Sequence, residues 1–316
     1  MAHLRILILV IVWQFSAFAT VHAQNAKMLI AKGDSLLEED RASKAMDQFN
    51  AALKLAPTAD AYAAKARGWY YMGKYDKFMT DVNKALTLDS VHAQANYQRG
   101  LYALRTNDNT TAIIYSTRAL NGKAPPDLRR KTLILRGEAE AAAGMTAQAI
   151  ADIKEGLDGR TDDMVAMKTL ARLHDAAGDP TSSLSVLESL CAMEPGDIGN
   201  WSNRGYELNQ LGRYDEALQV LENALTIDKD EPVVLSNKAY ALMKLDRDAE
   251  AFTNIDRSLR SDASNPYALS TRAQLYLRKG EADKACKDLT LAKAMGGAPE
   301  VDSLIKQHCA GMPEKH

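Results

Sequence analysis

One short stretch limits what this chain can fold into more than any other. From Asn200 to Asp228 it reads NWSNRGYELNQLGRYDEALQVLENALTID. Trp201, Leu208 and Leu211 fall on one face of a first helix. Ala217, Leu221, Ala224 and Leu225 fall on one face of a second, at the i, i+3/i+4 spacing of amphipathic helices. Gly212-Arg213-Tyr214 separates the two, with Gly212 placed to end the first. The pattern returns along the chain at a step of about 34 residues. In an array of that kind each unit contacts only its neighbours, so 316 residues need not divide into separate domains.

Eight units align, over residues 26–58, 59–92, 93–126, 130–163, 164–197, 198–231, 232–265 and 266–299. Small residues recur at positions 8, 20 and 27 of the unit, where helix backbones must approach closely, and larger ones at positions 4, 11 and 24 fill the remaining space. The fifth unit diverges most, keeping Ala171, Gly178, Leu187 and Pro195. Between the third and fourth, Asn121 to Asp127 reads NGKAPPD, whose two prolines cannot continue a helix, so an irregularity is expected there. Residues 300–316 form a last helix and tail that cap the final unit.

The period and its small and aromatic positions resemble the tetratricopeptide repeat (TPR) family, whose signature is W-x2-L-G-x2-Y, G-x-Y, then A-x3-F-x2-A-x4-P. The resemblance implies an all-α fold, a right-handed superhelix (α-solenoid) of about eight helix-turn-helix repeats with a C-terminal capping helix. It also implies a concave groove lined by the first helices, through positions 2, 5, 6, 9 and 12, in which a protein or peptide ligand binds.

In units 6 to 8 those positions repeat themselves. Position 5 is Ser202, Ser236 and Ser270; position 6 is Asn203, Asn237 and Thr271; position 9 is Tyr206, Tyr240 and Gln274. Asparagine amides can pair with a ligand backbone, and tyrosines offer apolar area with a polar tip. The arrangement resembles the asparagine ladder in the TPR part of the O-linked N-acetylglucosamine transferase, with two asparagines here. Asparagine at position 6 is also frequent in TPR sequences at large. The co-chaperone carboxylate clamp is matched incompletely: Lys168 stands at position 5 of its unit, but position 9 is Arg172. Lys168 and Arg172, one turn apart, remain candidates for an acidic side chain or terminus.

Position 7 carries a cation in seven of eight units, Lys32, Lys65, Arg99, Arg136, Arg204, Lys238 and Arg272, with Leu170 the exception. Two readings stand: a basic track for an acidic ligand, or packed stems whose heads pair with acids such as Asp81, Asp152 or Asp288 on second helices. The position belongs to the seam between helices rather than the open groove, which favours the second.

Residues 1–23 differ from the rest. Arg5 is followed by an apolar run from Ile6 to Trp13, then Phe15 to Ala19, then Val21-His22-Ala23. This reads as a secretory signal peptide cut after Ala23. Gln14 interrupts the run well short of the ~20 apolar residues a spanning helix needs, so no stable membrane anchor is expected after cleavage. Gln24 rather than cysteine follows the cut. The mature chain is expected to be exported, periplasmic or secreted.

Of the three cysteines, Cys286 lies on the second helix of unit 8 and Cys309 ends the capping helix. Antiparallel docking of the cap would bring them together, and an exported chain meets an oxidising compartment. The tail from Cys286 to Cys309 also resembles the C-termini of exported bacterial TPR proteins with paired cysteines. Closing that loop contributes roughly 3 kcal/mol in the chain-entropy view. Cys191, in LESLCAM, reads as a buried thiol.

The composition is globular, 46% hydrophobic and 25% charged, and rich in alanine, which favours helix. With a net charge of -2 and no basic stripe, no nucleic-acid partner is expected. There is no phosphate-binding glycine loop, no dinucleotide fingerprint and no H-E-x-x-H. Six histidines are scattered without ligand spacing, and Ser303 with Lys306 forms an S-x-x-K that has no second motif. No catalytic residue, metal site or cofactor is therefore expected. The reading is a non-catalytic scaffold for protein or peptide partners in the cell envelope. The alternative is a dedicated accessory subunit of an envelope enzyme or secretion complex.

Overall fold

The computed structural model describes residues 21–160 and 162–309. Most of the stretch read as a signal peptide lies outside the described residues. Described helix begins at residue 21, ahead of the cleavage point read after Ala23. The described residues are helical, without strands, and no helix among them is long and apolar enough to cross a membrane.

The chain divides into two compact units, Met1–Gly159 and Arg160–His316. The first contains α1 (21–38), α2 (Ala42–Leu55), α3 (Ala59–Tyr71), α4 (Tyr75–Leu88), α5 (Ala93–Arg105), α6 (Asn109–Asn121), α7 (Pro126–Ala142) and α8 (Thr146–Leu157). The second contains α9 (Met164–Ala176), α10 (Pro180–Met193), α11 (Ile198–Gln210), α12 (Tyr214–Ile227), α13 (Pro232–Lys244), α14 (Asp248–Ser261), α15 (Pro266–Arg278), α16 (Ala282–Ala294) and α17 (Val301–His308). Consecutive helices pair as hairpins, and each hairpin packs on the next within its unit. First helices also lie side by side, α3 with α5 and α5 with α7 in one unit, α11 with α13 and α13 with α15 in the other.

The small residues do what close approach demands. Ala45, Ala112, Ala149, Ala217, Ala251 and Ala285, all at position 20, are fully buried. Phe78 takes that position in the second repeat and is as deeply buried, beside Ala66 and Val82 and with the rings of Tyr70 and Tyr102 against it. The prolines of the NGKAPPD junction open a helix instead of merely ending one. Pro125 is the N-cap of α7 and Pro126 its first residue, where a missing N–H is harmless. The fourth repeat therefore starts its first helix at Pro126 rather than Arg130, and α7 runs to 17 residues.

The turn inside every hairpin is made at one register position. Gly73, Gly144, Gly178, Gly212 and Gly280 have φ between 68° and 77°, and Asp40, Asn107 and Asp246, at the same register, have φ of 57° to 58°. Aspartate and asparagine tolerate this left-handed conformation because their short polar side chains bond locally. Nothing lies within 4 Å of a Cβ built on Gly212, so its requirement is conformational and not spatial. Gly212→Ala is expected to lower stability by about 1–2 kcal/mol, and Gly212→Asn by clearly less. Urea denaturation of the two variants checks the order.

Six of the seven cations at position 7 are paired, in two ways, and Lys32 of the first repeat is exposed. Lys65, Arg136 and Arg272 reach the aspartate on their own repeat's second helix: Asp81 at 3.6 Å, Asp152 at 2.5 Å and Asp288 at 2.7 Å. In the third, sixth and seventh repeats that aspartate is replaced by Tyr115, Val220 and Asn254. There Arg99, Arg204 and Lys238 turn back to the preceding second helix, to Asn83 at 2.5 Å, Glu188 at 3.4 Å and Glu222 at 2.5 Å. The three aspartates are 6–8% exposed. With these six heads occupied, the row favours packing over a track for an acidic ligand.

Candidate functional site

In the second unit, α11, α13 and α15 present their first-helix positions to a cavity of about 380 Å³. Tyr206, Ser236, Asn237, Tyr240 and Thr271 line it. A second cavity of about 550 Å³, between α9 and α11, is lined by Lys168, Arg172 and Asn203 and shares Tyr206 with the first. Eight of the nine candidate residues thus stand on two linings that meet at Tyr206. Ser202 stands on neither: it is buried, and it accepts from the Asn237 amide.

The amides behave differently from the ladder expected of them. Asn237 Nδ2 donates to the Ser202 carbonyl at 3.3 Å and to its Oγ at 3.5 Å. Asn209 Nδ2 donates to the Asn237 carbonyl at 2.9 Å, and its own Oδ1 is buried without a hydrogen-bond partner. These donors stitch neighbouring first helices together. Asn203 is the exposed member, and it opens on the other cavity.

Lys168 is also committed within the chain. Its Nζ lies 2.8 Å from Glu194 and 2.7 Å from Asp197, and these hydrogen bonds hold its pKa above the ordinary lysine value. An acid held by Lys168 and Arg172 together would have to displace these two carboxylates. Asp197 is meanwhile the N-cap of α11, accepting from Gly199 and Asn200.

Several lining residues escaped the sequence reading. Tyr267 and Asn209 occupy positions 2 and 12, which the register already assigned to the groove. Pro299 and Glu300 come from the start of the cap. Glu300 Oε1 accepts from Ser270 Oγ at 2.6 Å and from Gln274 Nε2 at 3.3 Å, which fixes the carboxylate at one end of the cavity. The cap is itself bonded covalently: Cys286 and Cys309 form a disulfide with a Cα–Cα distance of 5.7 Å. Cys191 is a free, buried thiol whose pKa is pushed up to about 11, chiefly by burial.

The aromatic rings define the chemistry of the first cavity. Tyr206 and Tyr267 meet edge to face with centroids 6.5 Å apart. Burial, helped by the charge of Asp175, pushes the Tyr206 phenol up to about 12, so it stays a neutral donor at physiological pH. Burial also raises the Tyr240 phenol, with Glu300 adding to the effect. Apolar ring faces, phenol hydroxyls and an occasional amide suit an extended peptide better than a charged small molecule.

Glu207 is the unusual group of the second cavity. It is 3% exposed, and Ser183 Oγ donates to its Oε1 at 2.7 Å. Its Oε2 is buried with no hydrogen-bond partner. Burial, opposed by the Ser183 bond and reinforced by Asp175 and Asp179, raises its pKa from 4.5 to about 7. The folded state holds this proton more tightly than the unfolded one, so between these two values stability falls as pH rises. Glu207→Gln mimics the protonated acid. It is expected to raise Tm by about 2–4 °C at pH 8 and to change it little at pH 5. Calorimetry at the two pH values tests this, and an equal shift at both would show that ionisation is not the cause.

The architecture defines a class: an α-solenoid of helical hairpins, in which side-by-side first helices form a surface for other proteins. The chain contains tetratricopeptide repeats. Residues 208–275 and 168–232 match two tetratricopeptide repeat models. A tetratricopeptide repeat protein from Parabacteroides merdae is similar in structure at 15% identity and a TM-score of 0.53, over 90% of this chain and 99% of that one. YrrB, described as a TPR protein with an unusual peptide-binding site, is similar at 15% identity and a TM-score of 0.54, over 60% of this chain and 97% of its own. The APC/C hetero-tetramer Cut9-Hcn1 is similar at 19% identity and a TM-score of 0.50, over 89% of this chain and 55% of that one. At such identities the likeness is one of fold. No curated protein matches the chain by sequence.

Proposed function

We propose that this chain is a non-catalytic interaction scaffold that takes a peptide or protein segment on the first-helix face of its second unit. The observation that carries the reading is the cavity where Tyr206, Tyr240 and Tyr267 gather, closed at one end by Glu300 of the cap. Large rings of low conformational entropy are the side chains that dominate binding energy at protein interfaces. The fold likeness to YrrB, whose description names a peptide-binding site, supports the same reading. The proposal includes export through residues 1–23 and action in the cell envelope, on the strength of the Arg5 and Ile6 to Trp13 pattern. It includes neither a nucleic-acid partner nor a membrane anchor on the mature chain.

The test is an affinity capture from envelope extract with residues 24–316, wild type beside Tyr206→Ala/Tyr240→Ala. The double variant is expected to lose its specific partners by at least tenfold in recovered amount, since each ring is a candidate hot spot worth over about 1 kcal/mol. Circular dichroism should show its helix content unchanged. Identical recoveries from the two proteins would sink the groove reading. One stoichiometric partner would mark a dedicated subunit, and several would mark a general scaffold.

A further inference from the structure

The cavity between α9 and α11 carries more information about the ligand than the tyrosine cavity does. Among the eight residues at position 10 of the repeat, only Glu207 is charged; the others are Ser35, Gly68, Tyr102, Ala139, Leu173, Ala241 and Leu275. Its partner Ser183 likewise stands at position 20, where six other repeats have alanine. Both departures fall at one junction and meet in one hydrogen bond of 2.7 Å. That bond satisfies one carboxylate oxygen and leaves Oε2 buried without a partner, on a residue that lines a cavity of about 550 Å³.

The charges around it favour a cation. From α9 come Lys168, Arg172, His174 and Asp175; from the start of α10 comes Asp179, and from the start of α11 Asp197. Lys168 is already held between Glu194 and Asp197. His174 lies 3.5 Å from Asp179. Arg172 is exposed, and the charges that act on the Glu207 carboxyl are those of Asp175 and Asp179. The lining therefore sets Glu207, Asp175 and Asp197 against Lys168, which is already paired, and Arg172. Tyr206 borders the same space, and an aromatic ring can attract a cation.

We propose that this cavity receives an arginine or lysine side chain of the bound segment, with Glu207 as its counter-ion through Oε2. The proposal rests on the reading of the first-helix face as a peptide site, and it names a feature of the ligand. A guanidinium or ammonium N–H would satisfy the unpartnered oxygen, and Asp175 would face the remaining charge. Because the carboxyl must be ionised to act, binding of the basic side chain displaces a proton. The preference should weaken as pH falls below about 7.

The test uses the mature chain and pools of ten-residue peptides, random except for one central position fixed as arginine, lysine, norleucine or glutamate. Wild type is expected to retain the arginine and lysine pools about tenfold over the norleucine pool at pH 8, and with most of that preference gone at pH 6. Glu207→Gln should retain all pools alike at both pH values, and Tyr206→Ala/Tyr240→Ala should retain none. Equal retention of basic and norleucine pools by wild type would overturn the cation site and leave the groove reading standing. Preference for the glutamate pool would overturn it in favour of Arg172, and an unchanged preference in Glu207→Gln would remove Glu207 from the role. Retention of no pool by wild type would overturn both readings.

Discussion

Replacing Cys309 by serine is expected to destabilise the C-terminal hairpin by about 3 kcal/mol, the chain-entropy value for a loop of this length. The effect is large because α17 has few other means of staying in place. It spans eight residues, too short to be helical alone in water. Val301, Leu304 and Ile305 cover Leu269, Ala273, Leu289 and Ala292, and Cys309 packs on the same cluster. Without the bridge that cover is held by these contacts, by Glu300 and by the exposed Lys293–Asp302 ion pair. In a repeat array the loss should stay near its origin, because each hairpin is stabilised by its neighbours. Hydrogen exchange should show protection falling in α15, α16 and α17 and persisting in α11 and α12. Unchanged protection in α16 and α17 would show that the apolar contacts hold the cap unaided. Since Pro299 and Glu300 close the tyrosine cavity, the same variant should also bind peptide more weakly.

Gly205→Leu is the second substitution with a large expected effect, and its reason differs from that at Gly212. Gly205 lies within α11 with ordinary helical geometry. A Cβ placed there would sit 2.6 Å from Leu221 Cγ, far inside contact distance. Leu221 is fully buried, between Ala217 and Ala224 on α12, and cannot swing aside. A leucine would have to push α11 and α12 apart, at a cost of about 3 kcal/mol or more. Urea denaturation should place it well below Gly212→Ala, and an equal loss in the two variants would contradict the packing argument. The same displacement would move Tyr206 and Glu207, which share α11, so ligand binding should fall with stability.

These cases show what a reader of the sequence can and cannot see. The hairpins were legible because their signals are local: apolar spacing, a glycine at the turn, and small residues at fixed register. α3, α5, α9, α11, α13 and α15 open on the first residue of the unit read there. The pairing of Lys168 is not legible, because its partners, Glu194 and Asp197, come from the end of the same repeat and are brought to it only by folding. The bond from the Asn237 amide to a backbone carbonyl is not legible, because carbonyls have no letter in a sequence. Tyr267 and Asn209 were available from the register alone. Glu207 carried a signal too, a lone charge at a position otherwise uncharged, but only Ser183 and the cavity give that charge a meaning.

The paired cations also decide how separable the repeats are. A fragment beginning at Pro266 keeps both halves of Arg272–Asp288, because donor and acceptor belong to one hairpin. A fragment beginning at Pro232 strands Lys238, whose Glu222 stays behind on α12. Repeats 2, 4 and 8 thus carry their position-7 pair with them when moved or duplicated, although Arg67 and Arg278 still leave acids behind on the preceding repeat, Asp34 for the first and Asp246 and Asp248 for the second. Repeats 3, 6 and 7 carry a dependence on the hairpin before them. That dependence ties each of these hairpins to its predecessor by a polar contact, in addition to the apolar seams that every repeat shares.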